Sequence, residues 1–137
     1  MLPRRKLNLI VAEFSRRRFH GTEYAKAQNV RGVFKRAYDQ AFDRVDVLAL
    51  PTCLDVAPRY NAPNSCMDGA FGPRRFTRNT NPFNYTGHPA LSVPCGKSGG
   101  LPIGMQLVGR YYADPVLLRA AYAFQHSVDW EQMTATP

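Results

Sequence analysis

No apolar run in these 137 residues approaches the roughly 20 residues that a membrane-spanning helix needs. The best early candidate, Leu7 to Phe14, is short and holds Glu13, which suits neither a span nor the core of a signal peptide. The arginine-rich start imitates a transit peptide, but the helical pattern continues straight past it. Cysteine is scarce. Cys53, Cys66 and Cys95 have no C-x-x-C spacing and no histidine at metal-ligand distance. An odd count without a secretory signal reads as buried, reduced thiols and a cytoplasmic compartment. No internal repeat and no low-complexity tract is present.

Several catalytic signatures are missing as well. The stretch Gly96-Lys97-Ser98 imitates the end of a phosphate loop, but the first glycine of that motif should sit at position 91, which is Leu91. Pro94, between position 91 and Gly96, lacks an amide donor, and Gly99-Gly100-Leu101-Pro102 opens no helix on which phosphate could rest. Lys97 and Ser98 are adjacent, and nothing nearby orients either of them as a catalytic pair. They read as solvent-facing residues of a glycine-rich connection between two strands. His20, His88 and His126 pair by spacing with no acid or second ligand, so neither a metal site nor a Ser/His/Asp triad is expected. The five serines form no G-x-S-x-G elbow.

Acidic residues are few: ten against eighteen Lys/Arg, for a net charge of +8. Residues 1–44 hold eleven of the bases and four of the acids, so nearly all the excess lies there. No aromatic-interleaved basic motif follows. The pattern therefore favours a solvated face, or one docked on an acidic partner segment, over a nucleic-acid interface.

The length suits one domain. Residues 7–18 read as a helix broken at His20-Gly21, with Thr22 as the next N-cap and Glu23 in the first turn. Val30, Val33, Phe34, Ala37, Tyr38 and Ala41 form one apolar stripe of a long helix over 22–43. Val45 to Leu50 reads as a strand buried on both faces and stopped by Pro51, which suggests α/β layering. Residues 51–80 read as a long irregular loop, a feature that tends to be functional. Ala90–Cys95 and Ile103–Val108 read as strands. Asp114 then serves as N-cap and Pro115 as the first residue of a helix that uses Leu117, Leu118, Ala121 and Phe124 and runs to about His126. The tail from Val128 reads as frayed. Asn79-Thr80-Asn81-Pro82-Phe83-Asn84-Tyr85-Thr86-Gly87 crowds amides and hydroxyls beside aromatics. It could line a pocket for a polar, uncharged group, or could simply satisfy loop backbone.

Three stretches together carry a resemblance: Val45 to Thr52, Asn79 to Gly96, and Gly99 to Arg110. In order and spacing they resemble the C-terminal portion of the amidase signature family over roughly residues 20 to 128. The resemblance implies an α/β fold with a mixed sheet covered by helices. It implies hydrolysis of amide bonds by a Ser–cis-Ser–Lys triad, without metal or organic cofactor. Those catalytic parts lie in the family's N-terminal half. These 137 residues contain no Ser-Ser pair and no Gly-Gly-Ser-Ser-Gly-Gly-like run. The expectation is thus a single partial domain over residues 1–137 with no catalytic residue, inactive alone.

The loops at Pro51-Thr52 and at Asn79 to Phe83 are expected to border the substrate channel, with Thr80, Asn81 and Phe83 near the substrate. The turn Thr86 to Pro89 looks closer to general amidases than to the proteins that transamidate tRNA. The expected partners are a small amide substrate and an amidase N-terminal half, with neither nucleic acid nor membrane. Two other readings stay open: a non-enzymatic subunit that completes an amidase, and a basic nucleic-acid-binding domain. Strands taken from a larger sheet would leave an unpaired edge and an uncovered apolar face, which favours aggregation.

Overall fold

The computed structural model describes residues 3–57, 74–129 and 133. Helix α1 spans Pro3–Phe19. Arg16, Arg17 and Arg18 fill its last turn, where the helix dipole favours cations. Glu13 accepts from Arg16 at 2.8 Å and from Arg17 at 2.5 Å, each about one turn away along the same face. The two arginines hold its carboxyl down to about 2.

The helix breaks where expected, with both His20 (φ 50°) and Gly21 (φ 82°) in the left-handed region. Helix α2 follows over Thr22–Ala41. Thr22 is not its cap. Gly21 holds that position, and the Thr22 hydroxyl donates backwards to the Phe19 carbonyl at 2.7 Å. Satisfying the end of α1 has displaced the capping bond of α2.

Three strands form one antiparallel sheet in the order β1-β3-β2. Strand β1 is Val47–Pro51, β2 is Ala90–Ser98 and β3 is Leu101–Gly109. The expectation that β1 is buried on both faces does not hold. It is an edge strand, with Leu48 and Leu50 turned to the core and Ala49 to solvent. β2 and β3 are joined by Gly99 (φ 58°) and Gly100 (φ 80°), the doubly positive pair that a type I′ hairpin requires. Lys97 and Ser98 are exposed as expected, but they are the last residues of β2, paired with Pro102 and Leu101, and the connection itself is only Gly99-Gly100. The register slips by one residue between Pro94↔Gly104 and Gly96↔Ile103, so Cys95 is the extra residue of a bulge.

The segment read as a loop at Asn81 is the start of a short helix, α3, over Asn81–Thr86. Pro82 starts it, since a missing N–H costs nothing in a first turn, and Gly87 (φ 86°) ends it. Helix α4 spans Asp114–Ser127 and packs on β2 and β3. Its N-cap is Ala113 rather than Asp114. Asp114 lies in the first turn, where its charge still meets the favourable end of the dipole.

The core is small: Phe42, Phe83 and Val108, with Tyr38, Leu48 and Leu50 packed against them. Leu117 of α4 is buried near Gly109, where an added Cβ would come within 3.2 Å of the Leu117 side chain. The stripe of α2 behaves differently along its length. Tyr38 reaches the core, but Val30, Val33 and Phe34 are 47%, 56% and 51% exposed. Leu118, assigned to the apolar face of α4, is exposed too. Helical period marks a face, but it does not say that something in the same chain covers it. Among the described residues no helix is long and apolar enough to cross a membrane. Most of the long loop, 58–73, and most of the expected frayed tail lie outside the described residues.

Candidate functional site

Two of the loops singled out in the sequence meet at the end of β1. The Asn79 side-chain amide donates to the Pro51 carbonyl at 2.7 Å, and the Asn79 carbonyl accepts from the buried Gln106 side chain at 3.1 Å. One residue thus fastens the loop before α3 to both β1 and β3. Thr52 extends the same junction. Its amide donates to the Gly104 carbonyl at 2.9 Å, and its hydroxyl lies 2.6 Å from that of Ser92 on β2.

This junction opens onto a cavity of about 850 Å³ along the sheet. Thr52, Cys53, Asp55, Phe76, Ser92 and Gly104 are among the residues that line it. Gly104 is required by the close approach of the hydroxyl pair. A Cβ there would lie 2.9 Å from the Ser92 oxygen and 3.0 Å from that of Thr52. Gly104→Val is accordingly expected to destabilise the chain by about 1–3 kcal/mol, read as a lowered urea midpoint. A midpoint equal to that of the unmodified chain would show that the pair moves aside freely.

Among the described residues the lining supplies hydroxyls, two thiols and the Asp55 carboxyl, with no histidine or lysine. A hydroxyl nucleophile needs a neighbouring base to take its proton. The described cavity wall can therefore hold and orient a polar ligand but holds no Ser–Lys or Ser–His pair. The thiols also correct the sequence reading: Cys53 is exposed and Cys95 half-buried, each reduced, whereas Cys66 lies outside the described residues. Cys53 sits in the turn after β1 and Cys95 in the bulge, and neither location offers an enclosed core. Among the described residues no group of three or more His, Cys, Asp or Glu could hold a metal ion.

Thr80, Asn81 and Phe83 do not line this cavity. The Thr80 hydroxyl donates to the Thr77 carbonyl and the Asn81 amide to the Thr77 hydroxyl, each at 3.2 Å. They brace the residue next to Phe76, which does line it. Phe83 is 4% exposed and belongs to the core. Asn81 instead borders a second cavity, of about 610 Å³, with Phe34, Tyr38, Arg78, Pro82 and Tyr85.

His88, which pairs with no acid by spacing, meets one through a contact across 49 positions. Its Nε2 lies 3.2 Å from Asp39 Oδ1, and its Nδ1 lies 2.9 Å from the Thr86 hydroxyl. Lys35 reaches the other Asp39 oxygen at 2.7 Å and lies 4.2 Å from the Tyr111 ring centroid. Lys35 first, and then His88, hold the Asp39 carboxyl below the usual carboxylate range, against the opposing effect of burial. An ionised carboxylate only accepts, so Nε2 carries the proton, and in the neutral ring Nδ1 accepts from Thr86. The ring is enclosed by Tyr38, Phe42 and Tyr111. No spacing rule could have found this pair, because it is made by tertiary contact alone.

A glutamyl-tRNA(Gln) amidotransferase subunit of Moorella thermoacetica is 40% identical over 117 residues, which cover 83% of this chain and 23% of that protein. Among solved structures, a bacterial aryl acylamidase of the amidase signature family superposes with a TM-score of 0.66 at 30% identity, over 77% of this chain and 23% of that one. The glutamyl-tRNA(Gln) amidotransferase subunit of Thermotoga maritima superposes with a TM-score of 0.62 at 26% identity, over 80% and 24%. The chain spans less than a quarter of the length of the relatives it matches. The Amidase family profile matches residues 3–118 of the 137, and the chain belongs to that family.

Proposed function

We propose that this chain is the C-terminal part of an amide-hydrolysing enzyme of the amidase family. It forms one wall of the substrate channel, and the Ser–cis-Ser–Lys machinery comes from polypeptide outside these 137 residues. The observation that carries the reading is the cavity beside Thr52 and Ser92: it lies inside the family match and is walled by hydroxyls, yet among the described residues it holds no lysine or histidine to pair with them. The channel wall would be Thr52, Ser92 and the backbone around Gly104, which suit a polar, uncharged amide. Thr80 and Asn81 would act near the substrate by bracing Thr77 beside Phe76, and Phe83 by anchoring α3 in the core. The relatives' names differ in the amides they concern, from aryl acylamides to glutamyl-tRNA, and the substrate proposed here is the shared class, a carbon–nitrogen bond to an acyl group.

The purified chain is expected to show no hydrolysis of simple anilides or carboxamides. Activity is expected only when a polypeptide carrying the serine pair and lysine is co-expressed with it. Serine-dependent turnover by the chain alone would sink the reading.

A further inference from the structure

We infer that the outer stripe of α2, with the groove behind it, is the docking surface for an acidic-rimmed, amphipathic segment of the polypeptide that completes this amidase. The inference rests on the proposed function and adds where the two parts join and what chemistry joins them.

Three observations converge on α2. First, Val30, Val33 and Phe34 make a continuous apolar strip that no described residue covers, about half exposed at each residue. From Val30 to Tyr38 the strip runs about 12 Å along the helix axis, at 1.5 Å per residue. That is longer than a small-molecule contact, and it suits a helix laid in a groove. Second, the strip leads into the 610 Å³ cavity, which Phe34, Tyr38 and Tyr85 wall with aromatic rings. The rings are held in place: Phe34 meets Tyr85 edge to face at 6.1 Å, and the Tyr85 hydroxyl donates to the Ala27 carbonyl. A rigid aromatic groove gives large contact area at low entropic cost.

Third, the rim is positive and uncompensated. Arg31, Arg36 and Arg78 have no acidic partner among the described residues, whereas Lys35 is already paired with Asp39. A partner with apolar side chains on one stripe and carboxylates beside it matches both features. The length of the relatives argues for the same occupant. More than three quarters of each protein compared lies outside the region that this chain matches.

The test is co-expression of the tagged chain with the Moorella thermoacetica amidotransferase polypeptide from which the 117 matched residues have been removed. A complex is expected to co-purify and to weaken as salt is raised. The double variant Val33→Asp plus Phe34→Asp is expected to weaken it at least tenfold, and Arg78→Glu to weaken it and flatten its salt dependence. Both positions of the double variant are half exposed, so helix content by circular dichroism should be unchanged. Leu118→Asp, on the exposed side of α4, should bind as the unmodified chain does.

Binding by the double variant equal to that of the unmodified chain would overturn this surface while leaving the proposed function standing. No complex with the unmodified chain would overturn both. A self-associated unmodified chain that the double variant turns into monomers would assign the strip to a second copy, and would also overturn the inference.

Discussion

Phe42→Ala is expected to cost about 3–5 kcal/mol, the usual range for emptying a buried phenylalanine site. Phe42 is 1% exposed and sits at the C-cap of α2. Its ring packs in the Phe83 and Val108 cluster and lies 5.4 Å from the His88 ring. Its carbonyl accepts from Arg110, so ring and backbone both tie α2 to the sheet. The fully buried apolar residues are few, and a small domain is stable by only about 5–15 kcal/mol in total. One ring is thus a large share of what holds the chain folded. Urea unfolding at low temperature, followed by far-UV circular dichroism, measures it. Val33→Ala, on the same helix but exposed, should change stability by no more than about 0.5 kcal/mol. A Phe42→Ala cost below about 1 kcal/mol would mean that the core has been placed wrongly.

The second large effect is at His88. His88→Ala removes a ring enclosed by Tyr38, Phe42 and Tyr111 and takes the partner from a wholly buried Thr86 hydroxyl. The unsatisfied hydroxyl alone costs about 1–3 kcal/mol, and the cavity adds to it. The total expected is about 2–4 kcal/mol, with α2 loosening from the turn at Thr86 to Pro89. Hydrogen exchange should report faster opening there.

Asp39 gives the same network a pH signature. Its folded carboxyl is held below the unfolded value, so its stabilising contribution is present above about pH 4 and is lost as pH falls through the folded value. Asp39→Asn should therefore cost most near neutrality, and the gap should close in acid. The side chain is 40% exposed, and solvent screening keeps the effect modest. A gap that does not change with pH would count against the network.

The elements of the fold are largely legible in the sequence, because each announces itself locally. Gly99-Gly100 between two apolar runs gives a hairpin, and the six-residue stripe of α2 gives a helix. Caps are less legible. Thr22 and Asp114 carry the right side chains, but each lies inside its helix and the residue before it takes the cap. The site is legible only as a pair of loops. That Asn79 would bond Pro51, or His88 would bond Asp39, follows from contacts between distant residues that no local pattern encodes. The exposure of α2 is hidden for the opposite reason: an apolar face reads the same in sequence whether its cover is in the chain or outside it.

The prolines of the sheet have a consequence for how the chain can fail. An edge strand is a template on which another strand can assemble, and both β1 and β2 are edges. β1 is five residues long and ends in Pro51, which has no N–H to offer. β2 carries Pro94, which likewise has no N–H to offer, and is kinked by the Cys95 bulge directly after it. As seeds for fibrous growth both borders are poor. The chain's weakness against clumping therefore moves from its strands to the bare apolar side chains of α1 and α2, where association is disordered and more readily reversed than a growing sheet.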